Sequence, residues 1–500
     1  MKSTTMRFAT AAFVIMFAFA LNGRTSAATP RQGLETLLAH VRSASGEPYT
    51  AHIVSEAQQS EDGGTVTVHV DAEGDRILIR RCRAGVCGGE YFDGMRSFAV
   101  NLNETALPST LHPNDDERVL QAVISCSFAS SEFRAAGGSV AAAPSVHRGS
   151  TTLRRVTVQS GDADLSVLID PKSWMPVEVD TSDGHVVVQF GDFRKVGRFL
   201  LPFEARRGDT VLERYTTRRV ATQAFAPPAG LVPHFLPGTP SLGLVAANKP
   251  LQPVVSCTVG GVAVNCLIDS GNSSLGMSLE LAERLGLSVT GEYEVSGIGR
   301  YVTGIVNAPS LRVGPATFGA ANYVVLHDVH DYGYDVVLGA DFLAHTRTTI
   351  DYAARSVEIL NPQTSSPPAI PLRFDGFLPV VDVQLGAIDV PLAIDTGDEA
   401  TINLPYAFYQ DHPGLFEVRG RRQVGGIGGT AEQVVGEIPS VRLSTFEVRH
   451  QPIGATQARE LAASGHLGSG FLSHFRVTFD YPHGRLGLST RQNDPAVVSE

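Results

Sequence analysis

Two short acidic motifs are the residues of this sequence best suited to chemistry. Asp269-Ser270-Gly271 follows the apolar run 264–268, and Asp395-Thr396-Gly397 follows the similar run 390–394. Either motif alone is typical of a turn after a strand, because Asp, Ser, Thr and Gly all favour turns. Their equivalent positions, 126 residues apart, indicate instead that two carboxyl groups are presented in the same way.

The sequence around the two motifs is an internal repeat. Three further matches follow in the same order at a separation of 129 residues: Gly297-Ile298-Gly299 with Gly426-Ile427-Gly428, 338–343 with 467–472, and Asp351-Tyr352 with Asp480-Tyr481. Each copy spans about 110–120 residues, the size of a small domain. We therefore predict two lobes, at 251–362 and 369–490, joined by a short linker at 362–368.

Paired carboxyl groups can hydrolyse an amide bond. Two carboxyls about 3 Å apart cannot both ionise, so they share one proton. The ionised member accepts a proton from water, and the protonated member donates to the scissile carbonyl oxygen. In this interpretation Asp269 and Asp395 are the catalytic pair. Gly271 and Gly397 permit a close backbone approach, and the hydroxyls of Ser270 and Thr396 brace the loops.

This pattern resembles the aspartic peptidases, and residues from about 250 to 490 resemble their retropepsin-like branch. The segment 336–343 is close to the one that follows the flap in that family. The resemblance implies one catalytic Asp per lobe and a peptide or unfolded protein as substrate. Retroviral enzymes pair two identical chains, whereas this chain carries both halves. Asp269 and Asp395 are therefore expected to meet within one monomer, as in the two-lobed pepsins.

Two departures from the family pattern concern the second lobe. Asp398 follows the second motif and Asn272 the first, where the family more often has Ala or Ser. Gly470 stands where the first copy has the acidic Asp341. A third carboxylate beside the pair could raise its pKa or distort it. These departures leave open a structural second lobe, and with it a non-catalytic periplasmic protein that binds lipid or peptide. Pairing of each lobe with its copy in another chain also stays open.

The Gly-rich stretches 297–304 and 425–429 are candidate flaps. Their central residues are Gly297, Ile298 and Gly299 in the first copy, and Gly426, Ile427 and Gly428 in the second. A hairpin tip that opens for substrate and closes against water is well served by Gly. A plain β-turn is the alternative interpretation for each stretch.

Residues 31–222 precede the repeat and hold no compact catalytic motif. Leu34, Leu37, Leu38 and Val41 recur at helical spacing. Alternating runs at 65–70, 76–80, 153–158, 165–169 and 186–190 then predict antiparallel strands. One helix followed by long strands loosely resembles the open sheets of outer-membrane lipoprotein carriers. We expect an accessory or substrate-presenting domain that covers the peptidase cleft before activation, with a Pro/Gly/Ala-rich linker at 223–250.

The predicted fold class is therefore mainly β. It comprises two tandem retropepsin-like acid-protease β-barrel lobes, preceded by an α+β domain with a curved antiparallel sheet. With 43% apolar and 18% charged residues, the 500-residue chain can bury large cores and is not generally disordered. A formal charge of −11 disfavours non-specific nucleic-acid binding. No spacing of His and Cys matches a zinc site, and we expect no metal or cofactor.

The first 28 residues read as a signal peptide. A basic start precedes an apolar run of 14 residues, and small residues follow it. The run is shorter than the roughly 20 residues of a membrane-spanning helix. An uncleaved anchor is the alternative. We therefore expect a periplasmic or secreted protein without a stable membrane span after signal cleavage.

Five cysteines in an exported chain suggest two disulfides and one remaining thiol. Cys82 and Cys87 enclose a short loop, and Cys257 and Cys266 flank Gly260-Gly261 in an alternating run. If that run is a hairpin with a two-residue turn, Cys257 and Cys266 are expected to lie opposite each other. We predict the pairs Cys82–Cys87 and Cys257–Cys266. Five free thiols are the alternative.

Overall fold

The computed structural model describes residues 30–61, 64–111, 114–181, 185–327, 329–363, 369–457, 465–490 and 496–499. Strands make up 55% and helices 14% of the structure, which confirms the predicted mainly-β class. The predicted signal peptide at 1–28 and residues 364–368 of the predicted short linker lie outside the described residues.

The N-terminal unit (residues 31–222) combines one large sheet with three helices. Its elements are α1 (Pro30–Ser45), β1 (Ile53–Glu61), β2 (Gly64–Glu73), β3 (Arg76–Arg83), β4 (Val86–Asp93), β5 (Ser97–Val100), β6 (Ala106–Pro108), α2 (Asp115–Ile124), α3 (Ser131–Ala135), β7 (Ser139–Arg148), β8 (Thr151–Ser160), β9 (Ala163–Ile169), β10 (Pro176–Thr181), β11 (Val186–Gly191), β12 (Arg194–Val196), β13 (Phe199–Leu201), β14 (Glu204–Arg207) and β15 (Thr210–Val220).

Thirteen of these strands form an antiparallel sheet in the order β6-β5-β4-β3-β2-β1-β15-β14-β11-β10-β9-β8-β7. The five predicted strands fall within β2, β3, β8, β9 and β11, and the predicted helix is α1, so these predictions are confirmed. Leu38 and Val41 of α1 are fully buried and join a core cluster with Val156 and Val167 of the sheet. The apolar face read from the helical spacing is therefore the face that packs.

The first lobe (residues 251–362) and the segment leading into it hold thirteen strands in the described residues. The elements are β16 (His234–Phe235), β17 (Ser241–Gly243), β18 (Val254–Val259), β19 (Val262–Ile268), β20 (Leu275–Ser278), α4 (Leu279–Arg284), β21 (Thr290–Ser296), β22 (Arg300–Ala308), β23 (Leu311–Val313), β24 (Ala316–Phe318), β25 (Ala321–Leu326), β26 (Val336–Leu338), α5 (Ala340–Leu343), β27 (Arg347–Asp351) and β28 (Ser356–Leu360).

The second lobe (residues 369–490) repeats this pattern, and one strand follows it. The elements are β29 (Ile370–Pro371), β30 (Arg373–Asp375), β31 (Leu378–Leu385), β32 (Ile388–Asp395), β33 (Ile402–Pro405), α6 (Tyr406–Asp411), β34 (Glu417–Gly426), β35 (Gly429–Leu443), β36 (Phe446–Thr456), β37 (His466–Gly468), α7 (Ser469–Leu472), β38 (Phe475–Asp480), β39 (Arg485–Thr490) and β40 (Val497–Ser499).

The two lobes share one strand order. The first runs β18-β19-β26-β20-β25-β22-β21, and the second runs β31-β32-β37-β33-β36-β35-β34. In both, the strand that ends at the acidic motif pairs in parallel with the strand before the short Leu-Gly helix: β19 with β26, and β32 with β37. Each acidic motif therefore leaves its sheet at the same point of the topology.

A six-stranded sheet joins the lobes, in the order β17-β28-β27-β38-β39-β29. Its central contact is antiparallel pairing of β27 from the first lobe with β38 from the second. Backbone hydrogen bonds thus cross the lobe boundary, and one apolar cluster runs from Val255 and Phe342 to Phe471 and Phe479. The predicted linker at 223–250 is itself structured, since β16 pairs with β24 and β17 with β28.

The structure contains the disulfides Cys82–Cys87 and Cys257–Cys266, and Cys126 is a buried free thiol. Cys82 and Cys87 are direct partners across β3 and β4. The expectation that Cys257 and Cys266 lie directly opposite each other is wrong, since Cys257 faces Val264 and Cys266 faces Val255. The Gly260-Gly261 turn sets this register, which makes the two cysteines diagonal neighbours with Cα atoms 6.0 Å apart.

Candidate active site

Asp269 and Asp395 come together although they belong to different lobes. Asp269 directly follows β19, and Asp395 is the last residue of β32. Each carboxyl lies against the Gly of the opposite motif, so the two acidic side chains face each other across the lobe boundary. The two acidic motifs therefore meet within one chain.

Reciprocal hydrogen bonds of Ser270 and Thr396 fix the two loops against each other. The N–H of Ser270 donates to Thr396 Oγ1 at 3.0 Å, and the N–H of Thr396 donates to Ser270 Oγ at 3.0 Å. Each hydroxyl then donates across the boundary at 2.7 Å, from Ser270 to the carbonyl of Ile394 and from Thr396 to that of Ile268. Both side chains are almost completely buried, so this network is shielded from water.

Gly271 and Gly397 allow the two carboxyls to approach the opposite loop. Their N–H groups each donate at 2.9 Å to Oδ1 of the Asp in the same motif. A Cβ on Gly271 would lie 2.6 Å from Asp395 Cγ, and one on Gly397 would lie 2.5 Å from Asp269 Oδ2. Any larger residue would therefore push the opposite carboxyl out of place.

Burial is the largest cause that raises the pKa of both carboxyls. Desolvation and then the charge of Asp395 hold the pKa of Asp269 well above the ordinary Asp range. Desolvation also raises the pKa of Asp395, although the nearby His466 opposes it. Both residues are half-buried, and the Gly of the opposite motif packs closely against each carboxyl. Both shifts are in the direction expected of two adjacent carboxyls that share a proton.

Asp398 and His466 form an ion pair beside Asp395. His466 Nε2 lies 2.5 Å from Asp398 Oδ2, and the His466 side chain is 11% exposed. Burial would raise the pKa of Asp398, but the hydrogen bond and charge of His466 outweigh it and lower that pKa. The predicted third carboxylate is therefore present, but it has a cationic partner that the sequence interpretation missed. The available signal was a His before Leu467-Gly468, where the first lobe has Val337.

The two flap candidates are hairpin tips that contact each other. β21 and β22 meet at Gly297–Gly299, and β34 and β35 meet at Ile427-Gly428. The N–H of Gly299 donates to the carbonyl of Ile427 at 3.1 Å. A Cβ on Gly426 would lie 2.9 Å from Ile298 Cδ1, which places the first tip directly on the second. Each lobe thus contributes one flap-like hairpin.

The N-terminal unit contacts the first lobe next to the loop that carries Asp269. Asp341 is fully buried, and Asn101, Asn103 and Thr105 donate to its carboxylate at 2.8, 2.7 and 2.6 Å. The N–H of Leu275 adds a fourth bond at 3.0 Å. Burial still raises the pKa of Asp341, although these bonds oppose the shift. We name this contact the Asp341 clamp.

Gly470, at the equivalent position of the second lobe, has no room for an acid. A Cβ there would lie 2.7 Å from Thr401 Oγ1 and 2.9 Å from the carbonyl oxygen of Glu399. The Asp341 clamp is therefore particular to the first lobe. Close packing of Thr401 and Glu399 around Gly470 explains why this position holds no acid. The carboxyl of Asp395 is in place without one.

Across the described ranges, no group of three or more His, Cys, Asp or Glu side chains is arranged to hold a metal ion. Within the same part of the chain, no helix is both long and apolar enough to cross a membrane.

Comparison with known families agrees with the geometry of the first lobe. A family model described as aspartyl protease matches residues 255–342, which run from β18 through Asp269 and the first flap to Phe342. This match supports an aspartic protease domain of the retropepsin-like type in that part of the chain. A search of curated proteins finds no match to the chain.

Proposed function

We propose that this chain is an exported aspartic endopeptidase that hydrolyses peptide bonds with a water activated between Asp269 and Asp395. One observation carries the proposal: two lobes of the same strand order bring two carboxyls together, each against the Gly of the opposite motif, and reciprocal Ser270 and Thr396 bonds brace the loops. The aspartyl protease match at 255–342 supports the chemistry assigned to the first lobe.

The reaction follows from a carboxyl pair that holds one proton. The ionised carboxyl accepts a proton from water as the water oxygen attacks the scissile carbonyl carbon. The protonated carboxyl donates to the carbonyl oxygen, which becomes a hydroxyl of the tetrahedral intermediate. Breakdown reverses these roles, since one carboxyl takes back the hydroxyl proton while the other protonates the departing nitrogen. Neither carboxyl gains or loses a proton over the full cycle.

Two flap-like hairpins favour an extended peptide as the substrate. A strand-like peptide can pair its backbone with hairpin edges, a mode of recognition that depends on main-chain groups. The contact between Gly299 and Ile427 must open to admit such a chain and close again to exclude water. We therefore expect cleavage of unfolded proteins or flexible segments.

Export and a monomeric active form belong to the same proposal. The disulfides Cys82–Cys87 and Cys257–Cys266 are suited to an oxidising compartment such as the periplasm or the extracellular space. A carboxyl pair assembled from both lobes of one chain needs no second copy. The apolar run near the N-terminus supplies the export signal in this proposal.

The direct test is cleavage of a denatured protein by the mature chain between acidic and neutral pH, with and without pepstatin. We expect pepstatin-sensitive cleavage that the Asp269→Asn variant lacks. If the folded wild-type chain binds peptides but cleaves none at any pH, the endopeptidase proposal fails. The non-catalytic peptide-binding alternative would then hold.

A further inference from the structure

The surroundings of Asp395 differ from those of Asp269 in two side chains. Next to Asp395, the Asp398 carboxylate and the His466 ring form an ion pair in which the ring is buried and the carboxylate is half-buried. The equivalent positions of the first lobe hold the neutral residues Asn272 and Val337. β37 places His466 alongside β32, directly opposite Ala393 in the parallel pairing. The otherwise similar lobes thus present unequal charge to the two catalytic carboxyls.

The backbone hydrogen bonds to the two carboxyls are unequal as well. Oδ1 of Asp395 accepts from the N–H of Gly397 at 2.9 Å and from that of Asp398 at 3.2 Å. Oδ1 of Asp269 accepts from Gly271 at 2.9 Å, while the N–H of Asn272 donates to the backbone carbonyl of Asp269 instead. Hydrogen bonds donated to a carboxylate favour its ionised form, so the backbone favours charge on Asp395.

Several charged groups face this region from neighbouring elements. Asp269 lies across the lobe boundary, and Lys249, from the segment before β18, contributes positive charge near Asp398. Three tyrosine hydroxyls also interact electrostatically with the catalytic carboxyls: Tyr334, Tyr352 and Tyr481. Burial is the largest cause that raises the pKa of each hydroxyl, so the three tyrosines stay neutral. His466 is the cationic side chain that acts most strongly on Asp395.

The charge on His466 follows from its partners. Burial alone would lower the pKa of this ring, but the hydrogen bond to Asp398 and the charges of the three acids outweigh burial and raise the pKa. The ring is therefore an imidazolium over the acidic range in which a carboxyl pair shares a proton. Its attraction for an ionised Asp395 exceeds the repulsion from Asp398.

We propose that the Asp398–His466 pair is a positioning element that places the shared proton on Asp269 and keeps Asp395 ionised. This inference rests on the proposed peptidase function and assigns the roles within it. Asp395 accepts the proton as the water O–H bond breaks and the new C–O bond forms. Asp269 gives its proton to the carbonyl oxygen in the same step. His466 acts through Asp395 and is not itself a catalytic residue.

The test titrates each carboxyl by itself, without turnover. Asp269→Asn leaves Asp395 to titrate, and Asp395→Asn leaves Asp269. The full mature chain is labelled with ¹³Cγ-Asp, and the NMR chemical shifts of the Asp carboxyl carbons are followed against pH. Comparison of the variants assigns the signals of Asp269 and Asp395. We expect Asp395 to titrate at lower pH than Asp269. Adding His466→Gln should raise the Asp395 midpoint by about one pH unit and move Asp269 less.

A matched control and a second design keep the test decisive. His412→Gln changes another histidine of the second lobe, one bonded to the carbonyl of Phe408, and should move neither midpoint. The double variant Asp398→Asn/His466→Val gives the second lobe the residues of the first, and the gap between the midpoints should shrink. In active enzyme, His466→Gln should shift the acidic limb of kcat/KM upward.

Equal titration midpoints for Asp269 and Asp395, or midpoints in the reverse order, would overturn the inference. Midpoints that stay unchanged in the folded His466→Gln and Asp398→Asn/His466→Val variants would overturn it as well. Failure of the two proposals is distinguishable, because the titration does not depend on hydrolysis. A wild-type chain that cleaves nothing, yet shows the expected order of midpoints, would contradict the peptidase function alone. A cleaving enzyme with the order reversed would contradict the assignment alone.

Discussion

At the residue scale, the two acidic motifs contain most of the information needed to recognise the pair. Each residue type of the motif has a specific part in the junction: Asp supplies the facing carboxyls, Ser or Thr the reciprocal braces, and Gly the close approach. His466 could not be found in this way, because its relation to Asp398 is set by strand pairing across 68 residues. A single His in an apolar run has no sequence pattern that identifies its partner.

The first prediction concerns the two carboxyls that we propose to be catalytic. Asp269→Asn and Asp395→Asn should each lower kcat/KM by at least about 10³-fold, because loss of either removes both proton functions. The double variant should be no worse than either single one. The measurement is the kcat/KM of wild type and the three variants for cleavage of a fluorogenic peptide library from acidic to neutral pH. Additive losses would show that the two carboxyls act independently.

The second prediction concerns stability and pH. Because folding raises the pKa of Asp269, the native state binds more protons than the unfolded chain above the ordinary Asp pKa. Stability from this group is therefore full at acidic pH and decreases as pH rises through the folded pKa. Asp269→Asn should melt at a higher temperature than wild type at pH 7, and the difference should shrink near pH 4.

Thermal melts across that pH range test the second prediction. Asp382→Asn, at a side chain that is 74% exposed and paired with Arg373, is the control and should show no such pattern. A catalytic-site variant that is less stable than wild type at neutral pH would mean that the carboxyl pair is not under electrostatic repulsion.

At the element scale, alternation and Gly-rich turns correctly predicted five of the fifteen strands of the N-terminal unit and the hairpin tips of both lobes. Errors arose where two strands must be aligned or where a chain segment docks on another. The cysteine register depended on which residues form the turn, and shifting a pairing changes every cross-strand neighbour. The 223–250 segment reads as a linker from its Pro and Gly content, but its two short strands obtain their partners from distant parts of the chain.

The third prediction tests the contact between the flaps. A Cβ on Gly299 would lie 2.1 Å from the carbonyl oxygen of Gly428, so Gly299→Ala should force the tips apart. We expect kcat/KM to fall by about 10-fold or more with little change in melting temperature, because closure positions the substrate. Gly425→Ala is the matched control, since its Cβ would first meet Thr430 Cγ2 at 4.0 Å. Equal activities of the two variants would remove the flap role.

The fourth prediction tests the Asp341 clamp. Asn103→Ala removes a donor to a fully buried carboxylate and should destabilise the protein by about 1–3 kcal/mol. Asn307→Ala removes an exposed hydrogen bond to Asn322 and should change stability by less than about 0.5 kcal/mol. Chemical denaturation of both variants gives the comparison. A neutral Asn103→Ala would mean that water replaces the lost donor.

At the scale of the whole molecule, the N-terminal unit and the two lobes form a connected structure. The N–H groups of Thr110 and Leu111 both donate to the carbonyl of Phe374 in the second lobe. A Cβ on Gly291 of the first flap strand would lie 2.5 Å from Cγ2 of Val86, next to the Cys82–Cys87 bond. Sequence patterns could not predict this, since such contacts join segments far apart in the chain.

The fifth prediction follows from this connection. A chain without residues 31–222 should lose the Asp341 clamp. It should also expose the apolar residues of the lobes that Leu107 covers, because Leu107 belongs to the same core cluster as the lobes. We therefore expect it to be insoluble or to melt well below the full mature chain, as measured by circular dichroism. A truncated chain that folds and cleaves normally would instead identify the N-terminal unit as a removable accessory domain.

The central claim is that one chain supplies both catalytic carboxyls, and mixing two inactive variants tests it most directly. Asp269→Asn and Asp395→Asn are each purified, combined in equal amounts and assayed for peptide hydrolysis over a wide range of concentration, with wild type alongside. The account predicts a wild-type rate proportional to concentration and no recovery of activity in the mixture. Recovered activity in the mixture would show that carboxyls pair between chains, and full activity of Asp395→Asn alone would show that the second lobe supplies none.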